Sequence, residues 1–170
     1  MPHQKIQQSI KIYAAAYAEL QHLQDTHHSI PGGDQKTGCI GEYYAYLYLR
    51  MLYGEESLRY GSHSEKGWDI EVAANPAFRV QVKAVSAFSK TRTISPIHKG
   101  WDQLFIVFLS KNLIPEGFWI IEDKSIFGQK EMLTSLKCRI PNKPLTGSAC
   151  IPFGQNKIIE LNTAIAQASF

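Results

Sequence analysis

One segment near the middle of the chain alternates apolar and polar residues in the pattern of a β-strand. Its apolar side chains share one face of that strand: Phe78, Val80, Val82 and Ala84. Successive strand residues point to opposite faces, so Gln81 and Lys83 stand side by side on the other face. This segment predicts a strand over 78–85 that carries an amide and an amine as neighbours.

A second short strand is expected just before it, over 68–73, and Asp69 is near its start. The intervening residues contain Asn75-Pro76, a typical turn sequence, which predicts an antiparallel hairpin. The hairpin would bring Asp69 next to Gln81 and Lys83. Metal-assisted phosphodiester hydrolysis uses such groups: oxygen ligands for Mg²⁺, and an amine that orients or deprotonates the attacking water. A polar pair on the solvent face of an ordinary hairpin remains the alternative.

The remaining sequence predicts an alternation of helices and strands around this hairpin. The run 104–109 is apolar on both faces, which is typical of a central strand covered on both sides. Shorter strands are expected at 58–60 and 118–121, and an edge strand at 157–161. Helices are expected at 4–24, at 37–53 with Asp34 or Thr37 as the N-cap, and at 125–136. The chain is therefore predicted to be an α/β protein.

The length of 170 residues suits one domain with its own core. We expect an N-terminal helix within 1–30, a core over 37–122, and a helix with an irregular C-terminal part over 123–170. No apolar run approaches the ~20 residues that span a bilayer, and no apolar signal core follows Met1. The expectation is a cytoplasmic protein without a membrane segment. The three cysteines include no Cys-x-x-Cys pair, which argues against a disulfide framework or a zinc site.

The spacing of these polar residues is similar to a known nuclease motif. Asp69 is followed twelve positions later by Gln81-Val82-Lys83, which resembles the PD-(D/E)XK nuclease superfamily in its Gln-x-Lys variant. Many members place a further Glu on an upstream helix in a Gly-x-x-Gly-Glu context, which Gly38-Cys39-Ile40-Gly41-Glu42 matches. Trp68 stands where a Pro is usual, and Gln81 where a Glu is more frequent. The resemblance covers residues 37–122.

This resemblance implies a restriction-endonuclease-like or resolvase-like fold, a central mixed β-sheet flanked by helices. It implies a divalent-metal-dependent endonuclease that hydrolyses phosphodiester bonds in DNA, with RNA still open as a substrate. By resemblance, Mg²⁺ or Mn²⁺ would be held by Asp69, the Gln81 oxygen, the backbone carbonyl of Val82 and Glu42, while Lys83 would position water. Glu42 also has an ordinary explanation, because the helix dipole favours an acid near a helix N-terminus.

The segment after Lys83 is basic, although the net charge of +3 is too small to diagnose a nucleic-acid-binding protein. No acidic residue lies between Lys83 and Lys99. Four residues of this segment are candidates for contacts with phosphates flanking a cut site: Lys90, Arg92, His98 and Lys99. A solvated loop is the alternative.

Two other functions stay open on the sequence alone. One is a non-catalytic nucleic-acid-binding module on the same fold, since Gln81 lacks the charge of a strong metal ligand. The other is a small interaction or toxin-type protein whose polar hairpin is ordinary surface. A homodimer, or a complex with a partner, is expected if a duplex is cut, because a single active site would have to bind twice to cut both strands. The N-terminal helix carries an apolar stripe that suits a second copy or the chain's own second helix: Ile6, Ile10, Tyr13, Tyr17 and Leu20.

Overall fold

A computed structural model describes residues 2–26, 37–61, 67–90, 94–95, 97–122 and 156–168. Within these ranges the chain forms α-helices and one five-stranded sheet. The helices are α1 (Pro2–Thr26), α2 (Thr37–Tyr53) and α3 (Ile158–Gln167), with a short 3-10 helix at Glu55–Ser57. The strands are β1 (Leu58–Tyr60), β2 (Ile70–Val72), β3 (Phe78–Ser86), β4 (Gln103–Leu109) and β5 (Pro115–Ile121). The predicted α/β class is confirmed.

The sheet is mixed, with the strands in sequence order from β1 to β5. The first three strands are antiparallel neighbours, β3 and β4 run parallel, and β5 returns antiparallel to β4. Residues 104–109 of β4 are all buried, because both faces of this strand are covered. The prediction of a central strand at this position is confirmed.

The predicted antiparallel hairpin is also confirmed, and its uneven length creates an open edge. β2 and β3 pair from Val72↔Phe78 to Ile70↔Val80, where β2 begins. β3 continues to Ser86, paired on its other side with β4. Among the described residues, no strand pairs with β3 on that side beyond Val80, and this stretch of β3, the open edge, faces the residues that precede β2. Asp69 is the first of them.

Helices α2 and α3 cover one face of the sheet, and a loop covers part of the other. The principal core contains apolar residues of α2, α3 and β1 to β5, among them Leu47, Val82, Phe105 and Leu161. A second core lies on the opposite face, where Ile94, Ile97 and Trp101 pack on side chains of β3, β4 and β5. The described residues of the connection between β3 and β4 thus cover this face.

Gly41 lets α2 approach the sheet closely. A Cβ at this position would overlap the Cβ of Ala84 on β3. Glycine lowers the stability of a helix by ~1 kcal/mol relative to alanine. The close packing of α2 on β3 that Gly41 allows outweighs this loss. Gly41 therefore fixes the height of the next residue, Glu42, above β3.

The predicted edge strand over 157–161 is wrong, because α3 occupies this segment. Its buried residues, Leu161 and Ala164, and the buried C-cap Ala168 recur at spacings of three and four, which is a helical period. The β-branched pair Ile158-Ile159 favoured a strand locally, but packing against α2 and β5 decides for the helix. The helix predicted at 125–136 lies outside the described residues.

The predicted N-terminal helix is present as α1, and it contacts its own chain. Ile10 and Tyr13 pack against the principal core, and the ring centroids of Tyr17 and Phe88 lie 4.5 Å apart. Part of the apolar stripe thus faces the same molecule; a homodimer stays a prediction. Among the described helices, none is both long enough and apolar enough to cross a membrane.

Candidate active site

Asp69 is held at the open edge of β3 by three hydrogen bonds. Its backbone N–H donates to the carbonyl of Val80 at 2.8 Å, and its own carbonyl accepts from Gly61 N–H at 2.8 Å. One carboxylate oxygen, Oδ2, accepts the backbone N–H of Val82 at 2.6 Å. Both the backbone and the carboxylate of Asp69 are therefore fixed relative to β3.

The carbonyl of Val82 lies on the same edge as Asp69. In an extended strand the N–H and C=O of one residue point to the same side, so paired residues exchange both bonds. Because the Val82 N–H points at Asp69, the Val82 carbonyl faces the same side of β3. A backbone oxygen and a carboxylate thus share the open edge, as the predicted metal set requires.

Glu42, Asp69 and Lys83 form one interacting charge cluster. Burial is the main cause that raises the pKa of Glu42 to about 7; the Asp69 charge raises it further, and Lys83 opposes both. Burial also raises the pKa of Asp69, against the lowering effects of the Val82 hydrogen bond and of Lys83. The pKa of Lys83 is lowered by burial and raised by both carboxylates. The structure therefore brings three of the four predicted catalytic side chains together.

Gln81 makes a contact that the sequence did not indicate. Its side chain is 1% exposed, and its Oε1 accepts the backbone N–H of His98 at 3.2 Å. The predicted ligand oxygen thus anchors the loop before β4. An amide oxygen has two lone pairs, so this bond does not by itself prevent a second contact.

The basic residues are divided between the two ends of β3. His98 is drawn to the site by Gln81, and the carbonyl of Lys99 lies so close to Gly67 that a Cβ there would overlap it. Lys90 is exposed beyond the opposite end of β3. Arg92 lies outside the described residues. His98 and Lys99 are therefore near Asp69, and Lys90 is not.

Two tyrosines beside the site were not predicted as functional residues. The rings of Tyr46 on α2 and Tyr60 on β1 stack with centroids 5.2 Å apart and planes 15° apart. Tyr46 follows Glu42 by four positions, so helical periodicity places both on one face of α2 and could have indicated it. Tyr60 lies in a strand of three residues, too short for a period to identify.

The donor atoms at this site suit a hard divalent cation. The carboxylates of Glu42 and Asp69 and the Val82 carbonyl match the preference of Mg²⁺ and Mn²⁺ for oxygen. In the described part of the chain, no group of three or more His, Cys, Asp and Glu side chains converges. Glu42 and Asp69 are thus the two carboxylates available here, and other oxygens, from the chain or from water, would complete the coordination of a metal.

Comparison with known proteins leaves this geometry as the basis for a functional assignment. No protein-family model matches the chain, and no curated protein matches it significantly.

Proposed function

We propose that this protein is a divalent-metal-dependent nuclease that hydrolyses phosphodiester bonds in DNA, and that its fold is restriction-endonuclease-like. The observation that carries the proposal is the convergence of Glu42, Asp69 and Lys83 at the open edge of β3. The mixed sheet and the close packing of α2 on β3 support the fold.

The metal would be held by Asp69 and Glu42, with the Val82 carbonyl and the Gln81 oxygen as further donors. When bound, Mg²⁺ or Mn²⁺ supplies Lewis-acid polarisation of a phosphate oxygen and neutralises developing negative charge. The cluster suits a cation for an electrostatic reason: its two partly buried carboxylates face one amine, so their mutual repulsion is incompletely compensated.

Lys83 would act on the attacking water and on the phosphate. Its amine donates hydrogen bonds and carries positive charge that stabilises the transition state. Because burial lowers the pKa of this amine, a larger fraction is neutral near pH 7 than for an exposed lysine, and a neutral amine can accept the proton of water. Asp69 and Glu42 keep the ammonium form accessible by opposing that shift.

The direct test is incubation of the purified protein with supercoiled, linear, branched and single-stranded DNA and with RNA. Each substrate is combined with Mg²⁺, Mn²⁺ or EDTA. Cleavage should require a metal and should be lost in Asp69→Asn and in Lys83→Ala. Full activity of Asp69→Asn would refute the metal role.

Asp102→Asn is a matched control for Asp69→Asn. Asp102 Oδ2 accepts the backbone N–H of Arg79 at 2.8 Å, just as Asp69 accepts that of Val82. Both substitutions therefore alter an aspartate that accepts a backbone N–H of β3. Asp102, however, immediately precedes β4 and so lies on the opposite side of β3 from Asp69. Asp102→Asn should cleave like the unsubstituted protein.

A non-catalytic nucleic-acid-binding module is the second candidate, favoured by the contact between Gln81 Oε1 and His98. Here Gln81 serves the structure of the loop rather than a metal. Calorimetric titration with Mn²⁺ separates the two functions. A nuclease should take up the ion and lose that uptake in Asp69→Asn, whereas a binding module should hold DNA equally well in EDTA.

A further inference from the structure

The stacked pair Tyr46–Tyr60 presents a flat aromatic surface at the rim of the sheet. The ring planes are 15° apart, so Tyr46 covers one face of the Tyr60 ring. Tyr60 is nevertheless 45% exposed, because β1 is the edge strand of the sheet. Tyr53 on α2 is also exposed, but its ring is not stacked: it meets the ring of Phe78 edge-on, with the ring planes 68° apart.

Each of the two tyrosines is connected to the candidate active site through the backbone. Tyr46 lies one helical turn after Glu42. Tyr60 pairs with Ile70, the residue after Asp69, and the N–H of Gly61 donates to the Asp69 carbonyl at 2.8 Å. Burial, then Tyr46, then the charge of Glu42 raise the pKa of Tyr60, which agrees with this proximity.

A neutral, planar ligand group suits this position better than a phosphate. The carboxylate of Glu42 lies beside the tyrosines and would repel an anion that no cation neutralises. A nucleobase is uncharged and has a π-face that stacks on an aromatic side chain without requiring a particular sequence. A base inside an intact duplex has both faces covered by its neighbours, so it cannot offer one to Tyr60.

We propose that Tyr60, supported from behind by Tyr46, is a stacking platform for an unpaired base next to the cleaved phosphodiester. The substrate class that follows is DNA with exposed bases, meaning single strands, frayed ends or junctions, rather than uninterrupted duplex. This inference rests on the proposed nuclease function in placing the base next to a cleaved bond. The stacking itself can be measured by binding alone.

The test compares two single-stranded probes of equal length and charge, an oligothymidine and an oligomer of abasic residues. Their binding is followed by fluorescence anisotropy in EDTA, so that no cleavage intervenes. The unsubstituted protein should bind oligothymidine more tightly. Tyr60→Leu should weaken that binding on the order of 10-fold and leave the abasic probe unaffected. Tyr60→Phe should bind like the unsubstituted protein, because the ring is kept.

Tyr53→Leu is the matched control, since it removes a tyrosine of similar exposure, 39%, at the far end of α2. It should leave both probes unchanged. Equal binding of the two probes by the unsubstituted protein would overturn the platform without any variant. An equal loss in Tyr60→Phe and Tyr60→Leu would overturn it too, because the hydroxyl would then be the contact. Circular dichroism and thermal melting establish that Tyr60→Leu is folded.

Cleavage assays separate failure of this inference from failure of the proposed function. If no substrate is cut but oligothymidine binding depends on Tyr60, the platform stands and the nuclease proposal falls. If cutting depends on Asp69 and intact duplex is cut as readily as single-stranded DNA, the nuclease stands and the platform falls.

Discussion

At the scale of single residues, the cluster of Glu42, Asp69 and Lys83 is under electrostatic strain without a cation. Burial opposes all three charges, and the charge of Asp69 repels that of Glu42. Such groups stay partly buried at a functional site because the bound ligand, and not the folded chain alone, satisfies them. The strain should therefore be visible in the stability of the metal-free protein.

Glu42→Gln should stabilise the metal-free protein at high pH and not at low pH. The folded-state pKa of Glu42 is about 7, against an ordinary value of 4.5. The folded state thus binds this proton more tightly, so the unfolding free energy falls between those two values and stays level above about 7. Glutamine has no proton to lose. After solvent screening, we expect a gain on the order of 1 kcal/mol at about pH 8.

Urea unfolding in EDTA across the pH range measures this gain. Glu116→Gln, which alters a half-buried glutamate on β5, is the control and should show no gain with this pH profile. A gain of Glu42→Gln that is the same at about pH 4 and about pH 8 would contradict the assigned titration.

Gln81→Glu should preserve or raise metal-dependent cleavage while lowering the stability of the metal-free protein. A carboxylate can still accept the His98 N–H and is a better ligand than an amide. Without metal, however, it adds a charge to a side chain that is 1% exposed. Thermal melting with EDTA and with Mg²⁺ should therefore show a larger metal-induced rise in Tm than for the unsubstituted protein. An equal rise in both proteins would exclude Gln81 from the metal's surroundings.

At the scale of elements, the contact between α2 and β3 sets the distance between Glu42 and the strand. Gly41→Ala should destabilise the protein by roughly 1–3 kcal/mol, because its Cβ would overlap that of Ala84. Gly38→Ala is the matched control. Its Cβ would meet Glu42 Oε1 at 4.0 Å, an ordinary contact, so stability should be unchanged or slightly higher through helix propensity.

The double substitution Gly41→Ala/Ala84→Gly tests the cause of that effect. It exchanges the two residues and leaves one Cβ between helix and strand, so stability should recover by more than additivity allows. Chemical denaturation of the four proteins provides the cycle. If Ala84→Gly only adds its own loss to that of Gly41→Ala, the overlap is not the cause.

The sequence predicted those elements whose residues repeat with a clear period. The alternation of β3 and the apolar run of β4 each identify a strand, and the Asn75-Pro76 turn identifies the hairpin. α3 was missed because its first residues, Ile158 and Ile159, are β-branched and the helical period appears only with Leu161 and Ala164. Local propensity and tertiary packing disagree there, and packing decides.

The candidate site was predictable in its charged members and not in its surroundings. Spacing along the chain placed Asp69, Gln81 and Lys83 on one hairpin, and the resemblance indicated Glu42, which interacts with Asp69 and Lys83 in the structure. The bond from His98 to Gln81 depends on the connection between two parallel strands, whose path no local pattern specifies. The sequence also does not distinguish Gly41 from Gly38. In the structure, Gly41 lies against Ala84 of β3 and Gly38 does not.

At the scale of the whole molecule, the basic residues extend along the direction of β3. Lys99 lies at the end near Asp69, and Lys90 beyond the other end, where Ser86 pairs with Leu109. Val80 and Ser86 are separated by about 20 Å of strand at ~3.3 Å per residue. DNA that contacts both lysines would therefore have to pass along the strand.

Lys99→Ala should weaken binding to all DNA sequences alike and reduce the salt dependence by about one unit of slope. Its backbone is close to the site and the residue is exposed, so its side chain suits a phosphate. Binding across a salt series, in EDTA, measures the slope. Lys111→Ala, which removes an exposed lysine from the turn between β4 and β5, should leave it unchanged. An unaltered slope in Lys99→Ala would mean that this loop is ordinary solvated surface.

The order of the strands has a consequence for how the protein is made. Every side chain of the proposed site, from Glu42 to Lys83, precedes β4 in the chain. β4 supplies the parallel partner of β3, and His98, which holds Gln81, also comes later. A ribosome therefore releases the complete set of reactive groups before it releases the support that aligns them. Throughout that interval of translation, the nascent chain carries the chemistry of the site without its geometry.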